Sequence, residues 1–455
     1  MTSHIQYITH KLGIALSALA VVVWCMLASA QTAYAQVMLR DAETEWFLRK
    51  ISDPIFVAAK LDPKSVNMYI LGANELNAFV AGGQNIFILS GLILESKDVN
   101  NLIGVIAHET GHISGGHNVR RSEMGQGSTA IAILSMIAGA AAIAAGAGDA
   151  GAGIMMGGQT MAQRTMLKYN RTQEATTDQA GAKFLEATET SGRGLVEFFD
   201  RLRDQEFLNH VSQDPYVRTH PLSSERVARL TTLMQESPYW DKPVNPEYEY
   251  WFKRVKAKLM GYMQPTRVTL LNYPVNDKSV EARYARVYAY NKGLQWDKAI
   301  EEAKSLVHDF PDDPYFQEIT GQILLENGRV DESLPYFRRS AELLPNHPLI
   351  LMSLGHALVA LEDRKHDKEA RDVLENVVHH DPENSFAWRQ LSVVYARDKD
   401  EGLTNMATAE YFALTGNLPK PCTMPRLRSI SSTPEAPHGF ALKMFCLPHS
   451  SNLKR

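Results

Sequence analysis

Asn101-Leu-Ile-Gly-Val-Ile-Ala-His-Glu-Thr-Gly-His112 contains the pattern H-E-x-x-H, around which the rest of the chain is organised. His108 and His112 are about one helical turn apart, so both imidazoles lie on one helix face and can bind one metal ion. The preceding Leu102, Ile103, Val105 and Ile106 make this helix apolar nearly all round, which is typical of a buried helix. Buried imidazoles need a partner, so the stretch predicts a zinc site; the alternative is a pair of core histidines.

Length and composition limit the classes of protein to consider. The chain has 455 residues, with 47 Lys and Arg against 51 Asp and Glu and a net charge of −4, so nucleic acid is not an expected partner. A chain of this length has room for about two to four domains. The three cysteines, Cys25, Cys422 and Cys446, lie far from the H-E-x-x-H helix, which gives a thiolate zinc site no support.

The first 35 residues have the pattern of a signal peptide. Lys11 precedes an apolar run over 14–27, and Ala33-Tyr34-Ala35 fits the small-x-small rule for cleavage after Ala35. Ala28-Ser29-Ala30 is a second candidate cleavage site, and an uncleaved anchor helix is the alternative. The pattern predicts an exported protein.

Residues 36–265 are predicted to form the domain that carries the metal site. A helical pattern covers 38–60, with Glu43, Glu45, Arg49 and Lys50 predicted on its outer face. A strand pattern begins at Val66, and two extended runs flank Gly82-Gly83, as in a hairpin. An edge strand of such a hairpin could pair with a peptide substrate's backbone; an ordinary core hairpin is the alternative.

Residues 127–160 are rich in alanine and glycine, and 130–147 carries no charge. Because these residues are only weakly hydrophobic, we expect two close-packed helices joined around 146–153, which rest on a membrane surface or cover the active site. A transmembrane helix at 130–147 is the alternative, and it would indicate an intramembrane protease.

The second half of the chain repeats itself. Gly321 and Gly355 are 34 residues apart, as are Pro311 and Pro345, and this is the period of tetratricopeptide repeats. The pattern predicts an α-solenoid of helix pairs over 280–418. Residues 419–455 lack a helical period and are predicted to be a disordered tail.

Catalytic zinc takes three protein ligands and a water molecule, and two patterns compete for the third ligand. A metzincin has H-E-x-x-H-x-x-G-x-x-H; Gly115 fits, but the last position is Asn118, and His117 comes one residue early. A gluzincin uses a carboxylate from a later helix, for which Glu174 fits best. Asp178, one helical turn further on, could reach the site or orient a ligand histidine; a solvated acidic face is the alternative.

Several motifs together resemble one gluzincin family, which includes the prenyl-protein endopeptidases and the heat-shock membrane protease. They are His108-Glu-Thr-Gly-His112, Asn77-Ala-Phe79, Gly82-Gly83, Glu174-Ala-Thr-Thr-Asp178 and Thr219-His220-Pro221, and the resemblance extends over 36–418. It implies a mainly α (α+β) metalloprotease domain with a small sheet, followed by the repeats. It also implies one Zn²⁺ per chain bound by His108, His112 and Glu174, with Glu109 as catalytic base and Asp178 as proton donor.

The resemblance implies a function as well. It is a periplasmic zinc-dependent metalloendopeptidase in quality control of outer-membrane β-barrel proteins, acting through proteolysis and chaperone-like assistance. The expected partners are unfolded or misassembled outer-membrane proteins and the outer-membrane assembly machinery, recruited by the repeats. The alternative is a chaperone or adaptor whose repeats do the main work while the protease stays mostly latent. An intact Glu109 favours the enzyme, because a scaffold has no need of that carboxylate.

His220 is a further candidate catalytic residue. Pro221 holds His220, the residue before it, in an extended conformation, so the imidazole could be presented from a rigid turn. We consider three roles for its imidazole. It stabilises the transition-state oxyanion, it occupies the open metal position as a latch, or it only packs the start of a helix.

Overall fold

The computed structural model describes residues 37–117, 135, 148–208, 220 and 222–415. It is mainly α-helical with a small sheet, which confirms the fold class predicted from the sequence. The chain divides into two compact units, residues 1–38 and 39–455. The first is described only at its end, where strand β1 (Val37–Leu39) begins. The predicted signal peptide, 1–35, and tail, 419–455, lie outside the described residues.

Helix α1 (Ala42–Ala58) opens the second unit. Asp41 caps it by accepting a hydrogen bond from the Thr44 backbone N–H at 2.7 Å. Its apolar face contributes Phe47 and Ile51 to the main core. The prediction that Glu43 faces outward is wrong, because its side chain is fully buried against residues of later helices. Helical periodicity predicted the wrong environment for Glu43, because later helices also cover the outer face of α1 near its start.

The strands of the sheet come just before the H-E-x-x-H helix in sequence. Strand β2 (Asn67–Gly72) pairs in parallel with β4 (Asn85–Leu89), with Ile70 opposite Ile88. Strand β3 (Ala78–Ala81) pairs antiparallel with the other side of β4, so β3 lies at the sheet edge. Gly82 and Gly83 join the two in left-handed conformations, with φ of 58° and 98°, which favour glycine. The hairpin predicted around these glycines is therefore present.

The central helix is α3 (Val99–Ser114), which follows the short helix α2 (Ser90–Glu95). Asp98 caps it by accepting a hydrogen bond from the Asn101 backbone N–H. Two glycines let neighbouring helices approach closely. A Cβ at Gly111 would lie 2.9 Å from the Thr177 side chain on α4 (Gly148–Ala187), and one at Gly104 would lie 2.7 Å from Leu195 on α5 (Arg193–Leu208).

Helix α4 changes part of the interpretation of 127–160. Residues 148–187 form one continuous helix, so the joint expected around 146–153 is not present from Gly148 onward. The remainder of that prediction, over 127–147, lies outside the described residues apart from Ser135. Among the helices that the structure describes, none is both long and apolar enough to cross a membrane.

Helices α6 (Ser224–Gln235), α7 (Pro246–Met263) and α8 (Thr266–Asn272) lead into the repeats. Four helix pairs follow, and they match the repeat units predicted from the sequence. They are α9 (Val280–Lys292) with α10 (Trp296–Asp309), α11 (Pro314–Glu326) with α12 (Val330–Leu343), α13 (Pro348–Ala360) with α14 (Asp367–His380), and α15 (Ser385–Arg397) with α16 (Glu401–Thr415).

The repeats pack directly against the preceding helices. Ala42 at the start of α1 belongs to one apolar cluster with Tyr315 of α11 and Ile350 of α13. A set of buried charges, which we call the junction cluster, lies beside this contact: Asp41, Glu43, Arg254, Lys258 and Asp313. The division into domains 36–265 and 280–418 stays a prediction, since 39–455 forms one compact unit.

Candidate metal centre

The two histidines of the H-E-x-x-H pattern lie side by side in the protein interior. His108 is fully buried and His112 is 9% exposed, with ring centroids 5.0 Å apart. Both come from α3, where their spacing places them on one face as expected. The surrounding protein therefore buries both imidazoles by itself, independently of any ligand.

Glu174 of α4 lies across both imidazoles. One carboxylate oxygen is 3.4 Å from His108 Nε2 and the other is 3.4 Å from His112 Nε2. His220 completes the group, because one potential ligand atom from each of these four residues lies within 4.8 Å of all the others. The structure thus brings together the three residues predicted to bind metal and adds the fourth beside them.

The chemistry of this group fits a metal ion. His112 Nε2 is buried, and it has no hydrogen-bond partner among the described residues, as is also true of both Glu109 carboxylate oxygens. Buried polar atoms without partners are costly unless a ligand satisfies them. Two or three imidazole nitrogens and one carboxylate form the donor set that proteins commonly offer to zinc.

Glu109 is fully buried beside the ligand group. His220 Nε2 lies 3.4 Å from its Oε1. Burial raises the pKa of the Glu109 carboxyl, while the nearby His220 and His108 oppose the rise. A bound cation would favour the carboxylate further, so the residue is suited to accept a proton at this position.

Asp178 and Arg226 support the group from behind. Asp178 Oδ1 lies 3.0 Å from His108 Nδ1, whereas the other ring nitrogen of His108 faces Glu174. Arg226 of α6 donates to both oxygens of Asp178 at 2.8 Å, and its Nη1 is 2.9 Å from Glu174 Oε2. Sequence reasoning missed Arg226, because an arginine on an amphipathic helix has the pattern of a surface residue. Its only sequence signal is its position six residues after His220.

The carboxylates and imidazoles shift each other's protonation. Burial disfavours charge on both acids, yet His220 and His108 keep the pKa of Glu174 well below its usual value. Burial is likewise outweighed at Asp178, where hydrogen bonds from Arg226 and His108 lower the pKa to about 2. Asp178 and Glu174 together overcome burial to raise the pKa of His108 to about 9, whereas burial and the adjacent His108 lower that of His112 to about 2. The site therefore holds two carboxylates that attract a cation.

His117 is close to the site but outside the ligand group. Its Nδ1 lies 3.0 Å from His112 Nδ1, and Thr177 Oγ1 lies 3.1 Å from the same His117 nitrogen. It therefore touches the side of His112 that faces away from Glu174. His117 is therefore not placed as the third ligand that the metzincin alternative would require. Asn118, at the last position of the metzincin pattern, lies outside the described residues.

Comparison with known proteins identifies two related families in different parts of the chain. Residues 41–234 match peptidase family M48, and residues 284–348 match a tetratricopeptide repeat. The beta-barrel assembly-enhancing protease of Escherichia coli (strain K12) is 22% identical over 360 residues, which cover 77% of this chain and 72% of the relative. A Vibrio cholerae relative, named "Putative beta-barrel assembly-enhancing protease", is 24% identical over 388 residues, or 84% of this chain and 79% of that protein.

A solved structure is similar to part of the chain. YrrB, a tetratricopeptide-repeat protein, matches 36% of this chain and 86% of its own, with 16% identity and a TM-score of 0.32. The family matches confirm the predicted metalloprotease and repeat regions. They do not test the role of any individual site residue, and those assignments remain predictions.

Proposed function

Because the chain carries a peptidase family M48 domain followed by tetratricopeptide repeats, we propose that it is an exported zinc metalloendopeptidase that acts in outer-membrane β-barrel protein quality control. It hydrolyses peptide bonds of misfolded or stalled envelope proteins, and its repeats recruit the substrate or the assembly machinery. The observation that carries the proposal is the buried group of His108, His112 and Glu174 beside the carboxylate of Glu109, whose oxygens accept no hydrogen bond from the described residues.

His108, His112 and Glu174 would bind one Zn²⁺ per chain. When bound, the ion lowers the pKa of a water ligand towards about 7 and polarises the scissile carbonyl. Glu109 accepts the proton of the attacking water and passes it to the leaving amine. Asp178 orients the His108 imidazole through its contact with Nδ1. This contact favours an orienting role for Asp178 over the proton-donor role that the resemblance implied. Arg226 holds both acids in place through its paired contacts.

Strand β3 is suited to hold the substrate backbone. It is the edge of the sheet, and it packs against α3, which carries the metal-binding histidines. An extended peptide can add to such an edge through main-chain hydrogen bonds, which are independent of side-chain identity. This mode suits an enzyme that recognises unfolded segments.

His220 serves as a latch in this proposal. Its Nδ1 lies 3.2 Å from Glu174 Oε2 and 3.4 Å from His108 Nε2, so it stands among the metal ligands. Its other nitrogen faces Glu109, where the attacking water would need to sit. A histidine in this place keeps the enzyme latent until it moves, which would protect other exported proteins. The oxyanion and packing roles are the alternatives that its substitution would reveal.

Export and location belong to the same proposal. Cleavage after Ala35 would release the mature chain into the periplasm, where misassembled outer-membrane proteins and their assembly machinery are found. Residues 127–160 would provide peripheral membrane contact. Tagged full-length chain in cell fractions, analysed by N-terminal sequencing, tests both; a mature N-terminus other than Gln36 would contradict the cleavage site.

The decisive experiment replaces Glu109 with glutamine. Glu109→Gln should lower hydrolysis of unfolded casein by roughly 10²–10⁴-fold while leaving about one zinc per chain, because glutamine removes the base but no metal ligand. The exposed Glu95, replaced in Glu95→Gln, is the matched control and should keep full activity. Cleavage by Glu109→Gln at the parent rate would contradict the assignment.

The same variant separates the enzyme from the chaperone or adaptor alternative. In cells deleted for their own copy, Glu109→Gln should fail to clear a stalled outer-membrane protein. Full restoration of assembly by the inactive variant would favour the alternative, for which the latched position of His220 provides the structural argument.

A further inference from the structure

A cavity of about 540 Å³ lies where the repeats meet the start of α1. It is lined mainly by α11 and α13, the first helices of two successive pairs, together with Asp41 and Ala42 of the α1 start and Lys258 of α7. Helices α11 and α13 contact each other, as do α13 and α15, so they form a continuous surface of the repeat stack. The volume is in the range of ordinary ligand pockets, about 300–1,000 Å³.

Most charges around this cavity are already paired. The Lys258 ammonium contacts Asp41 and lies 3.4 Å from Glu43. Arg40 binds Glu45 at 2.8 Å and Asp381 at 3.4 Å. These cations are consequently occupied by carboxylates of the protein itself.

Glu318 differs from its neighbours. Ser353 Oγ lies 3.1 Å from its Oε1, but no basic side chain among the described residues lies within 4.0 Å of its carboxylate. Burial raises the pKa of the Glu318 carboxyl to about 7, against the opposing charge of Lys258. His356, also in the lining, adds no compensating cation, because burial lowers the pKa of its imidazole. A carboxylate in such a place gains from an incoming cation.

The lining of the cavity also contains apolar side chains. They are Ile319, Leu325, Val330, Phe337, Leu349 and Met352. Lysine and arginine side chains carry a cationic head on an aliphatic stem, so one such side chain matches both the wall and the carboxylate. A purely apolar side chain would leave the Glu318 carboxylate without a cationic partner.

We propose that this cavity binds a lysine or arginine side chain of an extended polypeptide, with Glu318 accepting hydrogen bonds from its cationic head. The inference rests on the proposed recruiting role of the repeats and names the chemistry of the recruited segment. The cavity also adjoins a helix of the predicted protease domain. The occupant would touch Asp41 and Ala42 at the start of α1, and α1 packs against the metal helix α3.

The test measures peptide binding with hydrolysis switched off. Full-length chain carrying Glu109→Gln is titrated against a short fluorescent peptide with one lysine between leucines, and affinity is read from fluorescence anisotropy. Twin peptides carry norleucine or glutamate in place of lysine. The lysine peptide should bind roughly tenfold or more tightly than either twin, because a hydrogen bond to a charged group is lost in both.

Adding Glu318→Gln should weaken lysine-peptide binding by roughly tenfold and leave norleucine-peptide binding unchanged. The exposed Glu301 lies on α10 outside this cavity, so Glu301→Gln is the matched control and should bind like the parent. The thermal midpoint of Glu318→Gln should equal or exceed that of the parent, since the change removes a half-buried carboxylate that has no basic partner within 4.0 Å among the described residues. This readout separates loss of binding from loss of folding.

Three results would overturn the proposal. They are equal binding of the lysine peptide by the parent and by Glu318→Gln, equal or tighter binding of a twin peptide by the parent, and no binding of the lysine peptide at all. None of them depends on hydrolysis, so failure of the cavity assignment leaves the peptidase assignment intact. Conversely, an active Glu109→Gln enzyme would contradict the peptidase mechanism without affecting these affinities.

Discussion

The metal centre and the junction cluster are both buried groups of charged residues, yet they differ in how their charges are matched. In the junction cluster, Arg254 lies 2.6 Å from Glu43 and 2.6 Å from Asp313 and packs over the ring of Phe316. At the metal centre, buried Nε2 of His112 and both Glu109 oxygens have no hydrogen-bond partner among the described residues. Burial of charge, even with an atom such as Arg254 Nε that has no hydrogen-bond partner among the described residues, therefore does not indicate a functional site. A set of metal-ligand atoms that lie within 4.8 Å of one another does.

The largest effect should come from breaking the junction cluster. Arg254→Met would leave the partly buried Asp313 without its cation and the buried Glu43 with Lys258, 3.4 Å away, as its remaining cation, and we expect it to lower the free energy of unfolding by about 3–5 kcal/mol. Urea unfolding followed by circular dichroism measures this. Arg339, an exposed arginine of α12 that pairs with Asp312 and Glu342, provides the control. Arg339→Met should cost less than about 1 kcal/mol, and a similar cost for both would contradict the structural role of the junction.

The next effect concerns the supports of the two ligand histidines. Asp178→Ala and His117→Ala each remove a side chain at the Nδ1 of one ligand, and we expect zinc affinity to fall by about 10–100-fold, more for the charged Asp178. Competition with a zinc-binding dye measures the affinity, and the visible spectrum of the Co²⁺-substituted protein reports ligand geometry. His117→Asn keeps a hydrogen-bonding side chain and should recover part of the loss. Parent-like affinity and spectrum in His117→Ala would show that His117 only packs.

The smallest effect is expected at His220. If the latch occupies the site about nine-tenths of the time, His220→Ala should raise hydrolysis of unfolded casein by at most about tenfold. Zinc content should be retained, because His108, His112 and Glu174 remain. A fall in hydrolysis with zinc retained would instead support the oxyanion role. An unchanged rate with a lower melting temperature would leave only packing.

Regular elements could be predicted from local patterns. The helix expected over 38–60 is α1, the strand pattern near Val66 is β2, and the repeat period corresponds to the four helix pairs that end at α16. These predictions succeed because hydrophobic period and turn residues act within one element. The later helix that was expected to carry Glu174 is the end of a longer one, α4, because the alanine- and glycine-rich residues from 148 onward are part of the same helix.

The candidate site was predicted only in part. Spacing of four residues on one helix identified His108 and His112, and family motifs added Glu174, Asp178 and His220. Arg226 carries no comparable signal, although it contacts both acids of α4. Its role arises because α6 packs against α4, and no local spacing encodes that contact.

By itself, the sequence determined which segments are helical, that a metal-binding pattern lies on a buried helix, and that repeats follow the protease domain. Only the tertiary structure decided which charged residues are buried. Glu43 was expected on an outer face, yet it meets Lys258 in the protein interior although 215 residues separate the two in the chain. Local periodicity is fixed by the geometry of one helix, but the dielectric environment and partners of a charge depend on elements distant in sequence.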